Sequence, residues 1–433
     1  MTSQRPLLSH SFLGSLAAVC LASISYGGEA AKAQSAAAPA PSEDLLGFSF
    51  GGILYPHFHA HGAFGESSGE PGSLAVGHHD PNHNGFTLQG LEVGLSGRFT
   101  DWLETFGAYH LAYNEPADEW EHGFEEWFAK VKNIPGGFEL RGGKFLNRFG
   151  LQNAVHLHGW DWADQYLVNG RFLGDHHLAS IGGEVSWMVP LPWTSSLGVS
   201  VGVMDDEEHD HDHQGHSEHN EEALYDAEGA MFDDVLTTVH WTNQFNLNDF
   251  HQFRAGASGA WGDNVWGRST SVYGIHFEYQ WRENGFEAGG SYFRWRNEVM
   301  LRRFGAISGH LHGEEHQHEE EEHHDEHEEH ADEHHEDEAV RRATLTEAGF
   351  YTDLRYGWES GLEVGLRGEW LEGIGNAGLD ERYRISPGVT YYFKGKRNLL
   401  LRVQYNYDHS NHHGEEHSVW AQVGFNFGGP EVR

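Results

Sequence analysis

The chain has 433 residues and a formal net charge of −39, with 27 Lys plus Arg against 66 Asp plus Glu. That balance excludes nucleic acid as a partner, because phosphate binding needs clustered cations, and it favours attraction of cations. Hydrophobic content is only 38% while aromatics reach 13% and Gly numbers 56, a mixture suited to many strands with tight turns and aromatic girdles.

The first 33 residues read as a signal peptide. Arg5 gives a thin positive start, Phe12 to Ile24 an apolar centre, and Ala31-Lys32-Ala33 a small-x-small cleavage site. Cys20, the single cysteine, lies inside it, and bulky Val19 argues against a lipoprotein site there. The mature chain, from about Gln34, therefore has neither disulfides nor thiolate metal sites. Residues 34–45 form an Ala/Pro/Ser-rich linker, and 46–428 read as one β-domain.

From Phe48 onward the period is two. Over Phe48 to His61, Phe48, Phe50, Leu54, Phe58 and Ala60 share one face and Ser49, Tyr55, His57, His59 and His61 the other. The same alternation recurs at 86–99, 272–281, 362–370, 399–408 and 419–427. One face there is Leu, Val, Ile or aromatic, and the other holds Glu92, Arg98, His276, Glu278, Arg367, Arg402 or Gln422. No later window supplies the roughly 18 consecutive apolar residues of a membrane helix. Short turns fall at Thr100-Asp101, Pro135-Gly136-Gly137, Pro192-Trp193, Asn248-Asp249, Glu283-Asn284-Gly285, Glu359-Ser360-Gly361 and Lys394-Gly395-Lys396. Between them lie connections at 62–85, 115–123, 150–180, 205–231, 300–343, 374–381 and 410–416, many of them long. Alternating short and long connections, with about sixteen strands, describe a transmembrane antiparallel β-barrel with short periplasmic turns and long extracellular loops. Gly142-Gly143 is a candidate bulge. A soluble all-β sandwich would show the same alternation but would not need so polar a second face.

A barrel this wide leaves an aqueous interior. The third outer loop, 150–180, is rich in Trp, Leu and Phe, and a loop of that composition should fold inward and narrow the pore. Barrel, signal peptide and long third loop resemble a bacterial porin. Within them, Leu140-Arg-Gly-Gly-Lys-Phe-Leu-Asn-Arg-Phe-Gly-Leu-Gln152 resembles a stretch of the phosphate-selective porin O/P group. Arg148 stands where that group has Pro, and the loops carry acid and imidazole rather than Lys, which argues against phosphate selectivity. The chain also continues past Phe427, through Gly428 to Arg433, where porins usually end on the aromatic. The resemblance implies a possible homotrimer and a transverse field from lumenal arginines (here Arg98, Arg254, Arg355, Arg367 and Arg402) set against an acidic loop.

The outer loops carry the chemistry. Asp205 to Glu222 holds His209, His211 and His213; Gly309 to Glu338 holds His310, His312, His316, His318, His323 and His324. Neither run has apolar periodicity, so both should stay solvated. Neutral imidazole and carboxylate oxygen are ligands for zinc, nickel and copper(II), and many interchangeable donors should bind such ions in a labile way. The plainer alternative, a solvated acidic run, would need no His. His78, His79, His412 and His413 join them on the outer side. His57, His59 and His61 point into the lumen near its outer mouth, as a metal relay or as polar lining. In the third loop, His156, His158, Asp161, Asp164, Asp175, His176 and His177 form either a cation filter or the ties that hold the loop to the wall.

The expected function is an outer-membrane channel that captures divalent metal, zinc first, and passes it to the periplasm, with no tightly bound cofactor. Alternatives are an energised TonB-type receptor, which needs a plug domain before the barrel, and a barrel-anchored surface metal buffer or adhesin. An enzyme is not expected: there is no Gly-x-Ser-x-Gly, phosphate loop or HExxH motif.

Overall fold

The computed structural model describes residues 48–49, 52–69, 71, 75–114, 119–204, 223–308, 341–393, 397–428 and 431. The segments read as a signal peptide and a linker, and the two His/Glu runs, lie outside the described residues. The strands are β1 (Phe48–Ser49), β2 (Ile53–Ser67), β3 (Gly85–Arg98), β4 (Leu103–Asn114), β5 (Glu119–Ile134), β6 (Phe138–Leu146), β7 (Ala179–Met188), β8 (Thr194–Val203), β9 (Val235–Asn246), β10 (His251–Asp263), β11 (Ser269–Arg282), β12 (Tyr292–Ile307), β13 (Arg342–Gly357), β14 (Leu362–Leu371), β15 (Arg382–Tyr392), β16 (Leu399–Ser410) and β17 (Gly414–Gly428).

From β2 onward each strand pairs antiparallel with the next, and β17 pairs β2, so sixteen strands close a ring. The two-residue β1 folds back on the first residues of β2, Phe48 opposite Leu54 and Ser49 opposite Ile53. The single strand expected over 48–61 is thus broken. Gly52 lies at the break, where an added Cβ would sit 2.5 Å from the Arg98 carbonyl oxygen.

The dyad pattern explains the barrel's two surfaces. Val93, Ile275, Leu366, Val403 and Val423 point outward and are exposed, while their polar neighbours Glu92, His276, Arg367, Arg402 and Gln422 are buried inside. Phe99, Trp102, Phe138, Phe250, Trp358 and Phe393 lie exposed at or beside the short turns, as an interfacial girdle. Apolar outside and polar inside is the inverse of a water-soluble protein.

At one end the connections after β3, β5, β7, β9, β13 and β15 have three to six residues, and that after β11 spans 283–291. At the other end lie 68–84, 115–118, 147–178, 204–234, 264–268, 308–341, 372–381 and 411–413. The connection at 264–268 is one that the sequence reading did not find. The expected bulge at Gly142-Gly143 is not there: both residues pair in register with Ala129 and Phe128. The β5–β6 irregularity falls instead between Val131 and Ile134, where Asn133 takes a positive φ of 60°. Two further bulges, after His61 opposite β3 and after Ala108 opposite β5, shape the site described below.

The third loop turns inward. It carries one short helix, α1 (Leu167–Leu173). Phe149, Trp162, Tyr166, Leu167, Val168, Phe172 and Leu178 form an apolar cluster with Leu236, Val272, Met300, Tyr351 and Leu371 of the barrel wall. Water cannot reward exposure of that much apolar surface, so the loop fills the barrel interior rather than the space above it.

Candidate functional site

Two groups of side chains hold the third loop, and they differ in chemistry. On one side the anchors are arginine. Asp161 pairs with Arg294, with Arg296 at 2.8 Å and with Arg355 at 3.7 Å. Asp164 pairs with Arg367 at 2.7 Å and Arg384 at 3.1 Å, and accepts N–H bonds from Gln404 and Asn406. Burial alone would raise both acids, but the facing guanidiniums outweigh it and hold them below the usual carboxylate range. Trp162 lies 4.9 Å from the guanidiniums of both Arg355 and Arg367 and donates its N–H to Asp353. Of the two roles open to Asp161 and Asp164, these contacts describe the tie to the wall. Among the lumenal arginines singled out from sequence, Arg355 and Arg402 also hold the loop, bonding the Asp161 and Trp160 carbonyls. Arg98 and Arg254 pair with Glu104 and Glu278.

On the other side the contacts are imidazole and carboxylate. Antiparallel register sets Asn426 of β17, His59 of β2, Glu92 of β3 and His110 of β4 at one level around the wall. That level is mid-barrel, since β2 runs on six residues past His61 to Ser67. His57, His59 and His61 therefore face the lumen as expected, but not near its outer mouth. The bulges after His61 and Ala108 each insert one residue, and an inserted residue re-aims its neighbours. Glu92 thereby stays inward three residues after inward Gln89, and adjacent Glu125 and Glu126 both reach His156.

The third loop brings His156 and His158 onto this wall. His156 Nδ1 lies 3.0 Å from Glu92 and 3.1 Å from Glu125, and its Nε2 is 2.9 Å from Glu126. His158 stacks on His59 with ring centres 3.7 Å apart, and contacts Glu92 at 3.4 Å and Glu431 at 3.0 Å. Glu431, beyond the last strand, also reaches His59 Nε2 at 3.3 Å. Burial would lower His158, but its close contacts with the Glu431 and Glu92 carboxylates win and raise it. His61 and His59 both bond Asn426 Oδ1 at 3.0 Å, and His57 bonds Ser96 at 2.8 Å.

Toward the loop end lies a second imidazole group. His78 pairs with Glu121 at 2.7 Å and stacks on His176 at 4.0 Å between ring centres. His79 lies 4.9 Å from His78 and 6.0 Å from His110, and bonds the Gln89 carbonyl at 2.7 Å. His177 takes a positive φ of 69°, and both its ring nitrogens are buried without a hydrogen bond. Burial lowers His79, and pushes His177 down to about 3. Such strain and unmet hydrogen bonding are kept only where the surroundings impose them. Asp175 bonds the His176 N–H, and His412 and His413 sit exposed at the rim in 411–413, apart from both groups. His209, His211, His213, His310, His312, His316, His318, His323 and His324 fall outside the described residues.

The sequence reading missed Glu92, His110, Glu121, Glu125, Glu126, Asn426 and Glu431 as site residues. For His110 a signal was present: counting nine residues each way from Asp101 in the turn sets it opposite Glu92.

No family model matches the chain. An uncharacterized protein of Aquifex aeolicus (strain VF5) is 32% identical over 117 residues, which is 27% of this chain and 24% of that protein. The match thus spans about a quarter of that relative's length. Among solved structures, the anion-selective porin from Comamonas acidovorans superposes with a TM-score of 0.48 at 8% identity, covering 86% of this chain and 98% of its own. Salmonella typhi OmpF in complex with daunomycin gives 0.48 at 12% identity over 87% and 98%. In-vitro folded OmpT of Vibrio cholerae gives 0.46 at 10% identity over 89% and 100%.

Proposed function

We propose that this barrel is a passive outer-membrane channel that gathers divalent metal ions, zinc foremost, on its outer His/Asp/Glu runs and passes them through the lumen to the periplasm. The carrying observation is the column of imidazole and carboxylate along one lumenal side. It runs from His78 and His176 at the loop end, past His79, His110 and His177, to His156, Glu92, His158 and His59 at mid-barrel. Neutral imidazole and carboxylate are the donors zinc takes from a Cys-free chain. The runs 205–222 and 309–338 belong to the connections after β8 and β12, at the same end as the third loop. A negative rim concentrates cations there, and weak, exchanging ligands then release them downward. The apolar outer wall supports a place in lipid, and the signal-peptide reading supports export.

Planar-bilayer recording with zinc titrated on the loop side tests this reading. Zinc should alter the current at low concentration, and removing 205–222 and 309–338 should raise the zinc concentration needed and lower growth under zinc limitation. Unchanged growth with unchanged metal retention would end the capture idea. No conductance at all would point to a barrel-anchored metal store, and uptake that needs the proton-motive force to an energised receptor.

A further inference from the structure

We infer that the lumen contains a built divalent-cation site of two seats sharing Glu92: His59, Glu92, His158 and Glu431 form one, and Glu92, Glu125 and His156 the other. It deepens the proposed function, and rests on its claim that the protein handles metal, by locating a defined site apart from the outer runs. In each seat the donor atoms lie within 4.8 Å of one another. Several pairs are already 3.0–3.4 Å apart. Ligands about 2.0–2.2 Å from a tetrahedral ion are separated by roughly that much, so small rotamer changes suffice.

Charge points the same way. Several other buried acids of the lumen meet arginine, as at Asp161, Asp164, Glu184 and Glu347. The ion pairs of Glu92 and Glu125 are instead with histidine, which is a cation only when protonated. A divalent ion held among these donors would compensate the buried carboxylate charge.

Orientation points to ligands rather than to hydrogen bonds alone. His59 spends Nδ1 on Asn426 and turns Nε2 to Glu431; His156 spends Nε2 on Glu126 and turns Nδ1 to Glu92 and Glu125. One ring nitrogen held by an outer partner, with the other facing the rest of the donor set, is how metal-binding histidines are set. His59 Nε2, His158 Nδ1 and Glu92 Oε1 are buried and make no hydrogen bond. A cavity of about 10 Å³ touches His59, Glu92, Glu125 and His158, room for one water-sized body. The nitrogen and oxygen donors suit zinc, cobalt(II) or nickel rather than calcium or magnesium. Because the donors come from the wall, the third loop and the segment past β17, a bound ion would fasten all three together.

The test is cobalt titration of the full-length, chelator-stripped protein in detergent, read by visible absorption and competed with zinc. Wild type should show a saturable, strongly absorbing class that zinc displaces, above the weak background of the outer runs. Glu92→Gln should remove that class, Glu431→Gln should weaken it, and Asn426→Ala should lower affinity by about 10–100-fold. Circular dichroism and heat-modifiable mobility check that each variant folds. Should Glu92→Gln fail to fold, Glu431→Gln, outside the strands, carries the test. A wild type without the strong class, or one whose class survives in folded Glu92→Gln and Glu431→Gln, would show a proton-bridged cluster only and overturn the site. Zinc-sensitive conductance without the cobalt class removes the site and leaves the channel; the class without conductance does the reverse.

Discussion

At the scale of single residues, the lumen is held by buried charges whose partners decide their worth. Asp164 joins Arg367, Arg384, Gln404 and Asn406, so removing it takes one of two carboxylate partners from each of two buried guanidiniums, leaving Arg367 to Glu369 and Arg384 to Asp408. Breaking a buried pair by deleting one partner costs about 3–5 kcal/mol. Asp164→Ala should therefore lower the denaturation midpoint markedly and make channel current noisier as the loop loosens; an unaltered midpoint and quiet current would show that the loop is held elsewhere. Asp80 is a second tie, accepting the N–H of Gln165 at 2.7 Å and those of Val76 and Gly77. Burial first, then the nearby Asp164 charge, pushes its carboxyl up to about 6 from 3.8. The folded state then keeps a proton that the unfolded chain has released. Its contribution is complete below pH 3.8 and is lost as pH rises through about 6. Asp161 and Asp164 shift the opposite way, so total stability mixes the two signs. The difference between wild type and Asp80→Asn isolates Asp80: it should slope across that window and be flat above it, as measured by chemical denaturation at a series of pH values.

At the scale of elements, the strands were readable because lipid and lumen demand opposite faces at a period of two, which Tyr273 to Trp281 and Val419 to Phe427 obey without interruption. The inward turn of the third loop was readable from composition, since Trp162, Tyr166 and Phe172 have no stable place in water. Bulges were not readable: nothing in Gln89-Gly90 or Glu125-Glu126 announces an inserted residue, and it is that insertion which turns Glu92 and Glu125 toward His156. The height of His57, His59 and His61 was misjudged because the strand continues through Gly62 to Ser67, whose glycines and serine carry little strand signal. The turn at 264–268 was missed because Trp261 before it and Trp266 within it blur the strand ends. The loop's seat on the wall depends on two wall glycines. A Cβ on Gly388 would meet the Trp162 ring at 2.7 Å, and one on Gly365 at 3.0 Å. Trp162→Ala should cost about 3–5 kcal/mol through the cavity it leaves. Gly388→Leu should displace the same ring without deleting it. Both variants should raise single-channel conductance, and equal conductance in all three proteins would mean that the loop does not limit flow.

At the scale of the whole molecule, everything functional depends on the outer wall meeting hydrocarbon. Val403 lies near the middle of β16, points outward and is 54% exposed; Val235, the first residue of β9, is 48% exposed. In water these two positions would tolerate charge equally, since neither packs in a core. In a bilayer they separate by depth: Arg at the midplane costs about 2–4 kcal/mol, and near the interface about 0–1 kcal/mol. Val403→Arg should thus lower stability in lipid vesicles by the larger amount and Val235→Arg by the smaller, while in mild detergent the gap between them should shrink. Denaturant titrations in vesicles, followed by tryptophan emission, measure both. Equal penalties would deny the wall its bilayer, and the polar lumen, with its imidazole column, would then need a different reason to be enclosed.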